Sequence, residues 1–327
     1  MGCSSNIISE YNLKHNINIK RYTNGVKSIL ELNGKYVNNK IPGYLLTSDS
    51  HGFFHIWNSN FTEVLESIRA HLKTITDIYW INNDIFMSAS IEGIIRLWKI
   101  NENKKIEFYS EFKLNIQLLG IKMLYKNDNK NFAILYKNGI KIYSLNIKNK
   151  TFDEINDLTI KNDINIKTNN NKIVYNNVME CLPKNKIVFS NLYRISIWDY
   201  NNKDNKNNLI TIEGHTKTVT SLLLLKDEKL LSGSEDKIIY LWNINKRCVL
   251  KELKGHKGAV LSMYQISEGN LISGDQYCLI YVWSLDLNEI VQKIVEQGSI
   301  IKIQQLNNRD LVTYSSDNEI KIWGYID

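Results

Sequence analysis

Seven short stretches of the chain alternate apolar and more polar residues and share one form, in which an aromatic residue comes fourth. They are residues 54–57, 95–98, 140–143, 195–198, 239–242, 280–283 and 320–323. Alternation with a period of two is typical of a half-buried β-strand. The pattern therefore predicts an all-β protein in which one kind of strand is repeated seven times.

The aromatic residue of these stretches recurs at a nearly regular spacing. It is Trp57, Trp98, Tyr143, Trp198, Trp242, Trp283 and Trp323, each 40 to 55 residues after the one before. The clearest unit divides into four predicted strands, at residues 219–226, 229–234, 237–244 and 248–253. Units of this length with four strands are typical of propeller blades.

Two of the units carry the motifs of a known family. Gly214-His215 is followed by Leu-Leu-Ser-Gly-Ser-Glu-Asp and then Trp242, and Gly255-His256 by Leu-Ile-Ser-Gly-Asp and then Trp283. The chain resembles the WD-repeat family over essentially its whole length, most clearly from residue 209 onward. The resemblance implies a seven-bladed β-propeller of four-stranded antiparallel blades that binds other proteins and is not an enzyme. The chain departs from the pattern because only Trp198 is followed by Asp, and because the third unit has Tyr143 and no Gly-His.

The last unit lacks an outer strand, since the chain stops four residues after Trp323. Residues 11–21 have the composition of a strand and belong to no unit. In the family such an N-terminal strand completes the last blade, which removes an exposed sheet edge. We expect residues 1–10 to be a lipid-anchor segment and short linker. Residues 11–327 are then a single propeller with disordered, Asn-rich loops near 162–177 and 201–208.

The fifth unit contains a serine, a histidine and an aspartate that imitate a hydrolase triad. The resemblance implies instead a buried hydrogen-bonded tetrad that joins the strands of one blade: His215, Ser232, Asp236 and Trp242. The same offsets give His71, Ser88, Glu92 and Trp98 in the second unit; His256, Ser273 and Trp283 in the sixth, with Tyr277 at the acidic position; and Thr313, Asp317 and Trp323 in the seventh, without a histidine. A catalytic site would not recur with this period, so we expect no catalytic residue.

Composition offers little further chemistry. Lys and Arg number 41 against 34 acidic residues, but no basic cluster indicates a nucleic-acid partner. His51 and His55 flank a turn and are expected to be loop residues, not a metal pair. Three cysteines, at positions 181, 248 and 278, are expected to be small buried apolar residues without a C-x-x-C motif. We therefore expect no metal, no cofactor and no small-molecule substrate.

The chain begins Met-Gly-Cys-Ser-Ser-Asn. Gly2 is of the N-myristoylation type and Cys3 is a typical S-palmitoylation position, although Asn6 stands where the pattern prefers Ser or Thr. One acyl chain binds a membrane only marginally, whereas two give stable attachment. We expect a cytoplasmic protein held peripherally on a membrane by lipid. The alternative is a soluble protein whose start happens to contain Gly-Cys.

Basic residues recur in the loops that lead into three blades, namely Arg69 and Lys73, Lys217, and Lys257. Together they suit an acidic or phosphorylated partner segment; ordinary solvated lysines are the alternative. Strand directions predict that residues 11–21 enter from the opposite face. Residues 4–10 span at most about 25 Å, so that opposite face would lie near the membrane.

Two functions follow as hypotheses. The first is a lipid-anchored protein-interaction scaffold, and the second is a soluble substrate receptor in a ubiquitin-ligase-type assembly. The absence of an F-box-like helical segment before the predicted propeller disfavours the second hypothesis.

Overall fold

The structure is a computed structural model that describes most of the chain. The described residues are 13–19, 25–32, 44–58, 62–101, 105–124, 130–137, 139–159, 178–201, 209–266, 269–286, 289–307 and 309–325. Side chains are described over the same ranges except 13–19, 130 and 325. Across these ranges every regular element is a strand, and no helix has the length and apolar character needed to cross a bilayer.

The strands follow one another in short steps along the chain. They are β1 (Leu13–Ile19), β2 (Val26–Leu32), β3 (Tyr44–Asp49), β4 (Phe53–Trp57), β5 (Val64–Arg69), β6 (Ile75–Trp80), β7 (Ile85–Ser90), β8 (Ile94–Ile100), β9 (Ile106–Lys113), β10 (Leu118–Met123), β11 (Lys130–Tyr136), β12 (Gly139–Asn146), β13 (Thr151–Thr159), β14 (Met179–Leu182), β15 (Lys186–Asn191), β16 (Arg194–Asp199), β17 (Leu209–Ile212), β18 (Val219–Leu224), β19 (Leu230–Ser234), β20 (Ile238–Asn243), β21 (Cys248–Lys254), β22 (Val260–Gln265), β23 (Leu271–Asp275), β24 (Leu279–Ser284), β25 (Glu289–Val295), β26 (Ile300–Gln305), β27 (Leu311–Ser315) and β28 (Ile320–Tyr325).

These strands form seven four-stranded antiparallel sheets, the blades of a propeller. Blades 1 to 6 are the consecutive sets β2–β5, β6–β9, β10–β13, β14–β17, β18–β21 and β22–β25. Blade 7 has the order β1-β28-β27-β26. The predicted fold class, a seven-bladed propeller of four-stranded antiparallel blades, is confirmed.

In blade 5 the observed strand bounds agree closely with those predicted from the sequence pattern. Its four strands lie within one to two residues of the predicted bounds at every end. The first strand ends early because a tight turn follows, in which Leu225 N–H donates to the Lys229 carbonyl at 2.9 Å. Glu228 in that turn has a φ of 64°, a left-handed conformation that does not continue a strand.

Neighbouring blades pack face to face through buried apolar residues. Leu231 of blade 5 and Val260 and Trp283 of blade 6 belong to one such buried cluster. The glycine that follows the tetrad serine permits this approach: a Cβ on Gly274 would lie 2.3 Å from Ile300 Cγ2 of the next blade. The Ser-Gly pair of the motif is thus explained by packing between blades.

Strand β1 pairs antiparallel with β28, so that Leu13 lies opposite Tyr325 and Ile19 opposite Ile320. This pairing is consistent with closure of the ring by an N-terminal strand, shorter than the predicted residues 11–21. The chain enters β1 at the face where β28 ends, which is the face opposite the β27–β28 turn. Residues 1–10, residues 162–177 and all but the first residue of 201–208, where the anchor and the Asn-rich loops are predicted, lie outside the described residues.

Candidate functional site

The tetrad of blade 5 is assembled from strands β19 and β20, the turn between them and the loop that leads into the blade. Trp242 Nε1 donates to Ser232 Oγ at 2.7 Å, Ser232 Oγ lies 2.7 Å from His215 Nε2, and His215 Nδ1 lies 2.8 Å from Asp236 Oδ2. The ionised Asp236 carboxylate can only accept, so His215 Nδ1–H donates to it. His215 Nε2 is then the acceptor for the Ser232 hydroxyl proton.

A hydrolase triad has the same directions of hydrogen bonding between serine, histidine and aspartate. Burial of the serine is what distinguishes the blade 5 tetrad from such a triad. Ser232 is fully buried and already accepts the indole N–H. A substrate carbonyl has no path to its Oγ. The arrangement therefore connects strands β19 and β20 to the preceding loop and does not present a nucleophile.

The Asp236 carboxylate of the blade 5 tetrad is ionised. Burial by itself would raise the pKa of Asp236, but His215 and the backbone N–H groups of Thr216 and Ile238 hydrogen-bond to the carboxylate. Together these contacts hold the pKa of Asp236 below its ordinary value. The carboxylate stays ionised and keeps the imidazole in one tautomer.

Blade 2 brings together the corresponding residues with Glu92 as the acid. His71 lies 2.7 Å from Ser88 Oγ and 3.1 Å from Glu92 Oε1, and Trp98 Nε1 donates to Ser88 Oγ at 2.9 Å. Burial lowers the pKa of His71 to about 4, and the guanidinium of Arg96 adds to this, while Glu92 opposes it only in part. His71 is thus neutral near pH 7.

The sequence interpretation placed Tyr277 at the acidic position of blade 6 and named no acid there, which was wrong. His256 Nε2 lies 2.6 Å from Ser273 Oγ, which accepts from Trp283 Nε1 at 2.7 Å, and His256 Nδ1 lies 3.0 Å from Asp275 Oδ2. Tyr277 is 60% exposed. Blade 6 therefore has a complete tetrad, and its acid comes from two residues after the serine.

Of the tetrad contacts, the described part of blade 7 has only the hydrogen bond between the tryptophan and the hydroxyl residue. Trp323 Nε1 donates to Thr313 Oγ1 at 2.9 Å, whereas Asp317 accepts from Ser315 Oγ and from Glu319 N–H. Asp317 is therefore not joined to Thr313.

Glu296 replaces the missing histidine of blade 7. It lies four residues before β26, as His256 lies four residues before β22, and it forms a buried ion pair with Lys321. The sequence interpretation missed this pair, although the constant spacing to the first strand of each blade indicates it.

The other blades differ in the hydrogen-bond partner of the repeated tryptophan or tyrosine. In blade 1, Trp57 Nε1 donates to Thr47 Oγ1 at 3.0 Å, a contact the sequence interpretation did not include. In blade 4, Phe189 stands where the serine would be, and the buried Trp198 Nε1 has no acceptor among the described residues. In blade 3, the Tyr143 hydroxyl donates to Glu154 at 3.0 Å.

The remaining candidate residues, two histidines and the cysteines, differ in how far they are exposed to solvent. His51 is exposed, while His55 is half-buried and lies 2.8 Å from Ser67 Oγ and 3.4 Å from Asp49 Oδ2. Within the described ranges, no three His, Cys, Asp or Glu side chains are grouped as a metal ion would require. Cys181 is buried, but the expectation was wrong for Cys248, which is exposed because it begins the outer strand of a blade.

The loops between blades and the turns between the second and third strands of each blade share one face, here called the loop face. Backbone contacts show this: Gly52 O accepts from His71 N–H at 2.9 Å, and Gln276 N–H donates to Ala259 O at 2.9 Å. We call the opposite side the turn face. It carries the turns between first and second strands and between third and fourth strands.

The predicted basic residues are all exposed, but they do not form one cluster. Lys217 and Lys257 lie on the loops leading into neighbouring blades 5 and 6, whereas Lys73 leads into blade 2, three blades away from each. Arg69 ends an outer strand and lies over the Phe53 ring at 5.8 Å. The sequence interpretation did not include Tyr277 among the binding residues, but its exposed ring lies on the same face, against Gly258 next to Lys257.

Comparison with known proteins agrees with this geometry. A family model described as WD domain, G-beta repeat matches residues 62–99, 206–243 and 247–284. Each range runs from the outer strand of one blade through the three inner strands of the next. These three stretches are similar to WD40 repeats. The matches and the fold support placing the chain among the WD-repeat propellers.

A solved structure extends the WD40 likeness to the whole ring. The crystal structure of the WD40 beta propeller domain of Doa1 is similar with a TM-score of 0.70 and 15% sequence identity, covering 96% of this chain and 97% of that one. No curated protein matches the sequence significantly. A WD40 propeller fold suggests a scaffold for protein interactions, and such propellers are generally not enzymes.

Proposed function

We propose that this WD40 propeller is a non-enzymatic scaffold that is held on the cytosolic face of a membrane by acylated Gly2 and Cys3. Its loop face captures acidic or phosphorylated segments of partner proteins. The observation that carries the proposal is the position of Lys217 and Lys257. Both are exposed on adjacent loops of one face, and neither forms an ion pair with any described residue.

The surroundings of Lys257 support a protein partner. Tyr277 is 60% exposed and lies against Gly258, where an added Cβ would be 3.1 Å from the ring. An exposed aromatic side chain next to a free cation is typical of the residues that dominate protein interfaces. Acidic segments would be attracted by the two ammonium groups.

The direction of β1 supports the proposed orientation. The chain enters β1 at the turn face, which is the side opposite Lys217 and Lys257. Acyl chains on Gly2 and Cys3 would then hold the turn face toward the membrane. The loop face would remain accessible to partners.

Binding of peptides tests the role of the loop face. We expect the full chain to bind acidic or phosphorylated peptides from a library in preference to neutral peptides of the same length. The double variant Lys217→Glu/Lys257→Glu should weaken binding at least tenfold. The control Lys184→Glu/Lys246→Glu makes the same charge change on the turn face and should bind like the original protein.

Two results would contradict the proposal. One is that no acidic or phosphorylated peptide binds better than its neutral counterpart. The other is that both double variants weaken binding equally, which would indicate a long-range effect of net charge and not a site on the loop face.

A further inference from the structure

The axis of the propeller contains a cavity of about 540 Å³. Its wall includes residues from the innermost strands of blades 2 to 7, β6, β10, β14, β18, β22 and β26. The volume lies within the range of cavities that hold small molecules, roughly 300–1,000 Å³. None of the loop-face lysines contributes to it.

Four charged side chains from four different blades line this axial cavity: Asp77, Lys122, Glu180 and Lys302. Two of them neutralise each other, because Lys122 Nζ lies 2.9 Å from Glu180 Oε2. Asp77 Oδ2 accepts the backbone N–H of Ile121 at 3.1 Å. The Asp77 carboxylate thus has a hydrogen-bond partner, although that partner is neutral and the charge of Asp77 acts on Lys302 across the cavity.

Lys302 is the exception. Its ammonium group forms neither a hydrogen bond nor an ion pair with any described residue. At the equivalent position, two residues into the first strand, blade 6 has Ser262, whose hydroxyl accepts the N–H of Ile303 at 3.0 Å, and blade 2 has Asp77. An ammonium group cannot accept such a bond, so Lys302 does not serve this connection between blades.

Lys302 is half-buried in the cavity wall, and its ammonium group has no direct partner there among the described residues. Burial lowers the pKa of Lys302, and the charge of Asp77 offsets this only in part. A cation without a direct partner in a confined space is stabilised when an anion binds to it.

We propose that the axial cavity is a binding site for a small anion carrying a carboxylate or phosphate group, with Lys302 as its anchor. Lys122 lies on the same wall but is already engaged by Glu180. The ligand therefore makes its charged contact with Lys302.

Calorimetric titration of the full chain tests this site. Inorganic phosphate and citrate are titrated separately at constant ionic strength, which distinguishes a preference for phosphate from one for carboxylate. We expect saturable binding of at least one of them. Lys302→Met should weaken that binding at least tenfold, Lys302→Arg should retain it, and the loop-face variant Lys217→Met should leave it unchanged.

A measurement on the unaltered protein covers the case in which Lys302→Met does not fold. A saturating concentration of the bound anion should protect Lys302 from an amine-acylating reagent at least severalfold, while Lys217 remains equally reactive. The proposal is overturned if neither anion binds saturably, if Lys302→Met binds like the original protein, or if Lys302 is not protected. Because Lys217 and Lys257 lie outside the cavity, these results are independent of the peptide-binding test.

Discussion

His256 Nδ1 lies 3.0 Å from Asp275 Oδ2 in blade 6, whereas the corresponding histidine of blade 5, His215, is paired with Asp236. Asp275 follows its serine by two residues and Asp236 by four. Two different backbone positions thus supply a carboxylate to the same imidazole nitrogen. Asp275 also accepts the backbone N–H groups of Tyr277 at 2.8 Å and Leu279 at 2.9 Å, so it additionally holds the turn after β23.

The Asp275 contacts predict a large effect on stability. Asp275→Asn should lower the free energy of unfolding by about 1.5–3 kcal/mol, because several charge-assisted hydrogen bonds are weakened at once. Tyr277→Ala, two residues away and exposed, should change it by less than about 0.5 kcal/mol. Urea unfolding of both variants measures this. A larger loss in the tyrosine variant would contradict the assignment of Asp275 as the acid.

Ser232 allows a test of the structural role of the blade 5 tetrad. Ser232→Ala should reduce stability by about 1–3 kcal/mol, since His215 and Trp242 each lose a buried partner. Ser144→Ala removes only a long surface hydrogen bond of 3.5 Å and should have little effect. A serine-directed probe should not label the protein. Covalent labelling of Ser232 would show that its hydroxyl is accessible and reactive.

The fold could be predicted from the chain because each blade repeats one apolar spacing. Even Tyr143, which replaces the tryptophan, keeps the buried position of its strand and directs its hydroxyl to Glu154. The acid of blade 6 was missed because the offset of four residues between serine and acid in blades 2 and 5 was carried over to it. In blade 6 the carboxylate, Asp275, stands two residues after Ser273 and still reaches the histidine.

The axial cavity could not be predicted from the sequence for a different reason. Asp77, Lys122, Glu180 and Lys302 are far apart along the chain, and each is a single charge in a mostly apolar strand. Nothing local shows that the four strands meet around one axis. The exposure of Cys248 was missed because the cysteines of the propeller were all treated as small apolar residues, although Cys248 begins the fourth, outer strand of its blade.

His71 predicts a pH dependence of stability. Its pKa is about 4 in the folded protein, below the value of about 6.5 expected in the unfolded chain. The unfolded chain therefore binds a proton first as the pH falls. Stability from this residue is complete above about pH 6.5 and decreases toward pH 4, by about 3 kcal/mol in all.

Chemical unfolding at several pH values checks the His71 effect. His71→Gln should flatten the decrease between pH 6.5 and 4. Thr47→Ala, which removes the equivalent tryptophan contact of blade 1 without removing a titrating group, should retain it. An equal decrease in the protein and in His71→Gln would show that another group is responsible.

The proposed anchor predicts how variants distribute between membrane and soluble fractions. Gly2→Ala should move the protein to the soluble fraction, because it removes the site of the first acyl chain. Cys3→Ser should leave weak, reversible attachment through one chain. Lys217→Glu/Lys257→Glu should remain with the membrane. Release by that double variant would mean that the loop face contacts lipid.

Mass spectrometry of the N-terminal peptide from protein isolated from its native cells tests the membrane-scaffold proposal most directly. The proposal predicts that Met1 is absent, that Gly2 carries an amide-linked myristoyl group, and that Cys3 carries a hydroxylamine-sensitive palmitoyl group. A peptide with unmodified Gly2 and Cys3, or one that retains Met1, would contradict it. The propeller would then be a scaffold without a lipid anchor of its own.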